Sequence, residues 1–158
     1  MELNWLQFMA NVATSLVAAF ASALLAVHYS LKRFYSEKQW ERKADAYASL
    51  LEALHRMKTY SVFHMKYEMR GSEPPEDQQK ELVENFLRAH AEVLKRADIG
   101  TFAISDEAVS ALRGLERGLA ESQNVQGWWA HLQLENDAVD RCLASIREIA
   151  KKDLGFHK

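Results

Sequence analysis

The sequence predicts an all-α protein: a single N-terminal transmembrane helix followed by a cytoplasmic antiparallel helical bundle. Three observations carry this. Leu3 to Leu31 is a run of 29 residues with no formal charge, Gly or Pro. Beyond it, apolar residues recur at steps of three and four in separate segments, the period of helices with one buried face. Short breaks containing Gly, Pro or Ser divide those segments, and connections that short favour antiparallel neighbours.

The first segment is read as a membrane anchor. At about 1.5 Å per residue it is roughly 43 Å long, against a hydrocarbon core of about 30 Å. Phe8, Val12, Leu16, Phe20 and Leu24 recur at spacing four, and so do Ala10, Thr14, Ala18, Ser22 and Ala26. Asn11, Ser15, Ala19 and Ala23 run beside the second row. Small and hydroxyl-bearing side chains on one ridge let another helix backbone approach closely, so Ala10, Asn11, Thr14, Ser15, Ala18, Ala19, Ser22 and Ala26 form the expected association surface. The plainer explanation is that Ala and Ser are common in membrane helices.

Orientation follows from the flanks. Glu2 is the only charge before the run, whereas Lys32, Arg33, Lys38, Arg42 and Lys43 follow it closely. The positive-inside bias then puts the N-terminus outside and the remainder in the cytoplasm. Trp5 at one end, with His28 and Tyr29 at the other, stands where interfacial aromatics sit. Ala19-Phe20-Ala21 before Ser22 offers a competing signal-peptide reading, but the positive charge lies on the wrong side of the run. A buried helix of an ordinary domain is the other competitor, and the length of the run opposes it.

The expected organisation is an anchor and juxtamembrane segment over 1–35 and a four-helix domain over 36–158. Its segments are approximately 36–70, 76–98, 106–122 and 128–154. The net charge of −2 is unevenly spread: −1 over 1–31, +4 over 32–70 and −5 over 71–158. An acidic domain argues against a nucleic-acid partner. Anionic lipid attracts the basic segment and repels the acidic one. The single Cys142 forbids an internal disulfide and fits a reducing compartment.

No Gly or Pro occurs from Met1 to Arg70, so the first helix either continues into the domain or breaks near Ser30 to Ser36, the break being expected. Trp40, Ala44, Tyr47, Leu51 and Leu54 give the next segment its buried face, extended by Val62, Met65 and Met69. Gly71-Ser72-Glu73-Pro74-Pro75 ends it, since two prolines cannot sit inside a helix and Gly71 suits a C-terminal cap. Glu76 and Asp77 open the second segment favourably for the helix dipole, and Leu82, Val83, Phe86, Leu87, Val93 and Leu94 form its apolar face. Thr101 to Ile104 plugs the end of the bundle, and Ser105 reads as the N-cap of the third segment.

Val109, Leu112, Leu115 and Leu119 supply the third apolar face. Gly114 and Gly118, four apart on it, either admit a closely packed helix or fall there by chance. The fourth segment carries Trp128, Trp129, Leu132, Val139, Cys142, Leu143, Ile146, Ile149 and Ala150, with Gly155 at its end. Glu84 with Arg88, Glu92 with Arg96, Asp137 with Arg141 and Glu148 with Lys152 are acid-before-base pairs at spacing four, each worth about 0.2–0.5 kcal/mol.

Chemistry-bearing candidates are sparse. Glu52-Ala53-Leu54-His55 has the Glu-x-x-His spacing of di-metal bundles, but a second copy is lacking and no other Glu has His three residues later. The six histidines contain no i,i+4 pair, and His64 with Glu68 is a weak pairing. Cys142 on an apolar stripe reads as a small buried hydrophobe. No phosphate-binding Gly-rich loop occurs, so no cofactor, metal or catalytic residue is assigned. Trp128 is a possible interface anchor if exposed.

Trp40, Lys43, Ala44, Tyr47 and Leu51, then Ile99-Gly100 and Ile104-Ser105-Asp106-Glu107-Ala108, and finally Ala150-Lys151-Lys152-Asp153-Leu154, together resemble uncharacterised small bacterial membrane proteins with an N-terminal transmembrane helix and a cytoplasmic helical domain. The resemblance implies a bacterial inner-membrane setting and supplies no catalytic residue. The functional expectation is a non-enzymatic, membrane-tethered interaction or scaffold protein. Its partners are the lipid bilayer and either further copies or another membrane protein. The alternatives are a membrane-acting effector of a defence or toxin system and a metal-dependent bundle enzyme.

Overall fold

A computed structural model describes residues 2–99 and 103–156, without the side chains of Glu2, Leu3, Leu6, Val17, Ala18 and Ala21. Gly100, Thr101, Phe102 and His157 lie outside the described residues. The fold is all-α, with helices α1 (Glu2–Met69), α2 (Glu76–Ile99), α3 (Asp106–Gln123) and α4 (Trp128–Asp153). The chain divides into two units, Met1–Glu41 and Arg42–Lys158.

In the first unit every described residue is helical and every described side chain from Asn4 to Glu41 is exposed. Three expectations are corrected here. The break at Ser30 to Ser36 does not occur, because uncharged or helix-favouring residues continue the helix without Gly or Pro. Trp40, placed in the bundle core from its spacing, is 45% exposed. Among the described residues no helix is long and apolar enough to cross a membrane, which overturns the transmembrane anchor, the single-pass topology and the inner-membrane localisation. The run reads as a span from its lack of formal charge, which is not by itself apolarity: Asn4, Gln7, Asn11, Thr14, Ser15, Ser22 and His28 are polar residues within it.

The second unit is a helical bundle. Tyr47, Leu50, Leu54 and Met57 of α1 share one core with Ala89 and Val93 of α2, Leu112 and Leu115 of α3, and Val139 and Ile146 of α4. α1 ends where Gly71, at φ +59°, takes the left-handed cap conformation open to Gly, while Ser72 N–H reaches back to Tyr67 O at 3.2 Å. Ser105 caps α3 as the sequence predicts: its hydroxyl accepts the Ala108 N–H at 3.4 Å, and Asp106 and Glu107 follow in the first turn.

α3 and α4 pack closely through Gly118. A Cβ added there would lie 2.7 Å from Ala138 Cβ, so absence of a side chain sets the spacing of these two helices. Gly114 differs, since a Cβ there meets nothing within 4 Å. On α2 the buried positions are the small Ala89, Val93 and Ala97, whereas Leu87 is exposed. At the end of α1, Val62 and Met69 are exposed while Ser61 and His64 are buried, so the buried face turns polar there.

Ion pairs also depart from the spacing rule. Glu92 meets Arg56 of α1 at 2.8 Å, Arg96 donates to Ser49 Oγ at 2.8 Å, and Lys152 meets Glu107 of α3 at 2.8 Å. These side chains sit beside helix–helix grooves, where a partner across the groove competes with one a turn away on the same helix.

Candidate functional site

Two places in the molecule stand apart from ordinary bundle packing. The first is the surface of α1 over residues 5–35. Phe8, Leu16, Phe20 and Leu24 are each more than half exposed, at 57%, 65%, 69% and 56%. About 200° around the helix, two residues on, Ala10, Thr14, Ser22 and Ala26 form a shallow exposed row. Asn11, Ser15 and Ala19 are exposed beside it, and the side chain of Ala18 lies outside the described residues. Thr14 Oγ1 donates to Ala10 O at 2.6 Å and Ser15 Oγ to Val12 O at 2.9 Å, so both hydroxyls satisfy themselves within the helix. A close neighbour could therefore cover them without an unpaired donor.

The basic residues Lys32, Arg33, Lys38, Arg42 and Lys43 are all exposed, with Lys38 paired to Glu41 at 2.6 Å. They describe a solvated stretch of α1.

The second place is a polar cluster inside the bundle, where α1 passes the start of α4. Ser61, His64, Ser122 and Glu135 are its buried polar residues. Ser61 Oγ donates to Glu135 Oε1 at 2.6 Å. His131 Nδ1–H donates to Ser122 O at 2.8 Å, which directs Nε2 toward Glu135 Oε2 at 3.7 Å. The chain Ser122–His131–Glu135–Ser61 thus ties α3, α4 and α1 together. Burial pushes the Glu135 carboxyl up, and the Ser61 bond and His131 pull the other way without cancelling it. Burial likewise pushes the Tyr60 hydroxyl up, helped by the Glu135 charge.

His64 lies among rings: Tyr60 at 4.5 Å, Phe63 at 5.6 Å and Trp128 at 5.8 Å between centroids. Its Nε2 is buried and has no hydrogen-bond partner, and burial pushes the imidazole pKa down. Trp128 is 46% exposed, yet its inner face stacks on His131 at 5.4 Å. It lines an open hollow with Gln123, Val125, Gly127 and His131. The exposure that a Trp128 interface requires is therefore present. Sequence reasoning missed Ser61, His131 and Glu135. The readable signal was Glu135 itself, an acid three residues past Leu132 and four before Val139 on the α4 core stripe.

A third group is structural. Tyr47 Oη donates to Asp153 Oδ2 and accepts the Ser105 N–H at 3.2 Å, joining α1, the α3 cap and the end of α4. Burial raises Asp153, but the bonds from Tyr47 and Ser105 and the charges of Lys43 and Lys152 outweigh it and leave the carboxyl low.

Glu52 and His55 are both exposed, so the Glu-x-x-His pattern points out of the bundle, and among the described residues no group of three or more His, Cys, Asp or Glu could hold a metal ion. Cys142 is buried and its thiol is pushed up to about 12 by that burial, which makes it a poor nucleophile.

No protein-family model, curated protein or solved structure matches this chain. The resemblance to small bacterial membrane proteins is thereby corrected: it has no family match behind it and no membrane-crossing helix to rest on. Of the quoted motif residues, Tyr47, Ser105 and Asp153 meet in one hydrogen-bonded junction, a packing feature that an unrelated helical bundle can share.

Proposed function

We propose that this chain is a non-enzymatic interaction module that self-associates through residues 5–35 of α1. The observation that carries the reading is the exposed apolar surface: Trp5, Phe8, Met9, Val12, Leu16, Phe20, Leu24, Leu25, Val27 and Leu31 are all exposed on one helix. Single exposed apolar residues need no explanation, but a continuous array of this kind marks a surface that is covered in use. A second copy fits it because the helix carries both halves of a packing pair. The bulky row of one copy matches, at the same spacing of four, the shallow row of another, and ridge-into-groove packing of that sort is how helices meet.

Analytical ultracentrifugation of the full chain tests this. Wild type sediments as an oligomer at micromolar concentration, and Leu16→Glu/Phe20→Glu returns it to the monomer while the helical circular dichroism of the bundle persists. Thr14→Leu/Ala26→Leu fills the shallow row and weakens association at least tenfold. A monomeric wild type at 100 μM, or charged variants that associate as wild type does, overturns the reading.

A further inference from the structure

Glu135 and His64 are both about 5% exposed, and their hydrogen bonding differs. Glu135 accepts a hydrogen bond from Ser61 on Oε1, and its Oε2 lies 3.7 Å from His131 Nε2. Buried His64 Nε2 is answered by nothing. The titratable groups around His64 are Tyr60 and Tyr67 on α1 itself, the latter through Phe63, and His90 on α2, stacked on Phe86, which packs against Tyr60. From α4 come His131, behind Trp128, and Glu135, behind Ser61. From α3, the Ser122 carbonyl holds His131.

We propose that this cluster is an acid-opened latch between the end of α1 and the start of α4. One proton on His64 converts a neutral ring packed among aromatics into a buried cation with an unanswered N–H, and burying such a charge is costly. Release of the first turns of α4 from α1 hydrates the imidazolium and carries Trp128 outward. The proton goes to His64 from solvent, and no covalent bond changes.

The sign follows from where each group prefers its proton. Burial lowers His64 below its ordinary 6.5, so the open state binds the proton more tightly. Closure through His64 is fully present above 6.5 and is lost as pH falls toward the lowered folded value. Within that window the opening constant rises by up to tenfold per pH unit. Glu135 has the opposite sign: its carboxyl is held up, so the closed state binds its proton more tightly and acid favours closure. The two groups thus oppose one another in sign, and the latch requires the His64 contribution to outweigh that of Glu135 in the intact chain.

Hydrogen exchange read by mass spectrometry on the full chain between pH 7.5 and 5, corrected for the intrinsic exchange rate, measures opening of residues 57–67 and 128–139. Opening rises as pH falls in wild type, the rise disappears in His64→Phe, and it steepens toward tenfold per unit in Glu135→Gln, which keeps an acceptor for Ser61. A flat wild type, or equal rises in wild type and His64→Phe, overturns the latch. Titration of the His64 ring by NMR in the wild-type chain is independent of whether any variant folds. A midpoint well below 6.5 agrees with the latch, and a midpoint at or above 6.5 overturns it.

Discussion

Gly118→Ala and Gly114→Ala are the same chemical change, four residues apart on α3, with opposite expected outcomes. In a helix interior, Ala is favoured over Gly by about 0.5–1 kcal/mol at either position. At Gly114 that gain stands alone, because the new methyl meets nothing within 4 Å. At Gly118 the methyl arrives 2.7 Å from Ala138 Cβ, about 1 Å inside ordinary carbon–carbon contact. Neither atom belongs to a flexible side chain, so α3 and α4 must move apart. Overpacking of this kind costs about 1–3 kcal/mol. The two variants should therefore differ by roughly 1–3 kcal/mol, about 4–12 °C in Tm for a bundle of this size. Thermal unfolding followed by circular dichroism measures both. Adding Ala138→Gly to Gly118→Ala makes room for the methyl and should recover the packing loss, apart from its own helix-propensity cost. A Gly118→Ala protein stabilised as much as Gly114→Ala would refute close α3–α4 contact at this point.

Leu50→Ala and Ile146→Ala each remove a fully buried aliphatic side chain and should cost about 2–5 kcal/mol, read from denaturant midpoints. Tyr47→Phe deletes the hydroxyl shared by Asp153 and the Ser105 N–H and should cost roughly 1–3 kcal/mol at pH 7. Because the folded Asp153 carboxyl is held below its ordinary 3.8, its contribution is present above that pH and is lost as pH falls through the folded value. Tyr47→Phe should accordingly flatten the acid limb of stability, and an unchanged limb would remove Tyr47 as a cause. Cys142 should resist a thiol reagent at pH 8 in the native protein and react at once in 6 M guanidinium, since its thiol is pushed up to about 12 by burial. Fast native labelling would contradict the burial.

The helix ends were legible because their chemistry is local: Gly71 with the two prolines stops α1, and Ser105 with Asp106 and Glu107 starts α3. The core was legible only where bulk and burial coincide, as at Tyr47, Leu54, Leu112 and Ile146. On α2 the periodicity of large residues finds Val93 and the partly buried Phe86 but misses the small Ala89 and Ala97 in the core, and it places Leu87, which faces solvent, on the buried face. At residues 3–31 the reading rested on absence of charge, and amides, hydroxyls and an imidazole are uncharged too. The buried cluster was hidden for a different reason. Ser61 and Glu135 are 74 residues apart, and no pattern along one helix announces a hydrogen bond between two.

The Tyr47–Asp153 bond closes a loop of sequence separation 106. It places the part of α1 near the start of this unit beside the last residue of α4, so the beginning of the unit and the end of its last helix are neighbours in space. A unit with adjacent ends can be rewired without disturbing its interior. Joining the region after Asp153 to the region before Tyr47 by a short linker, and opening new ends at the exposed Gly71–Glu73 turn, should give a circularly permuted bundle. The same proximity suits the bundle to insertion, intact, into a loop of a host protein.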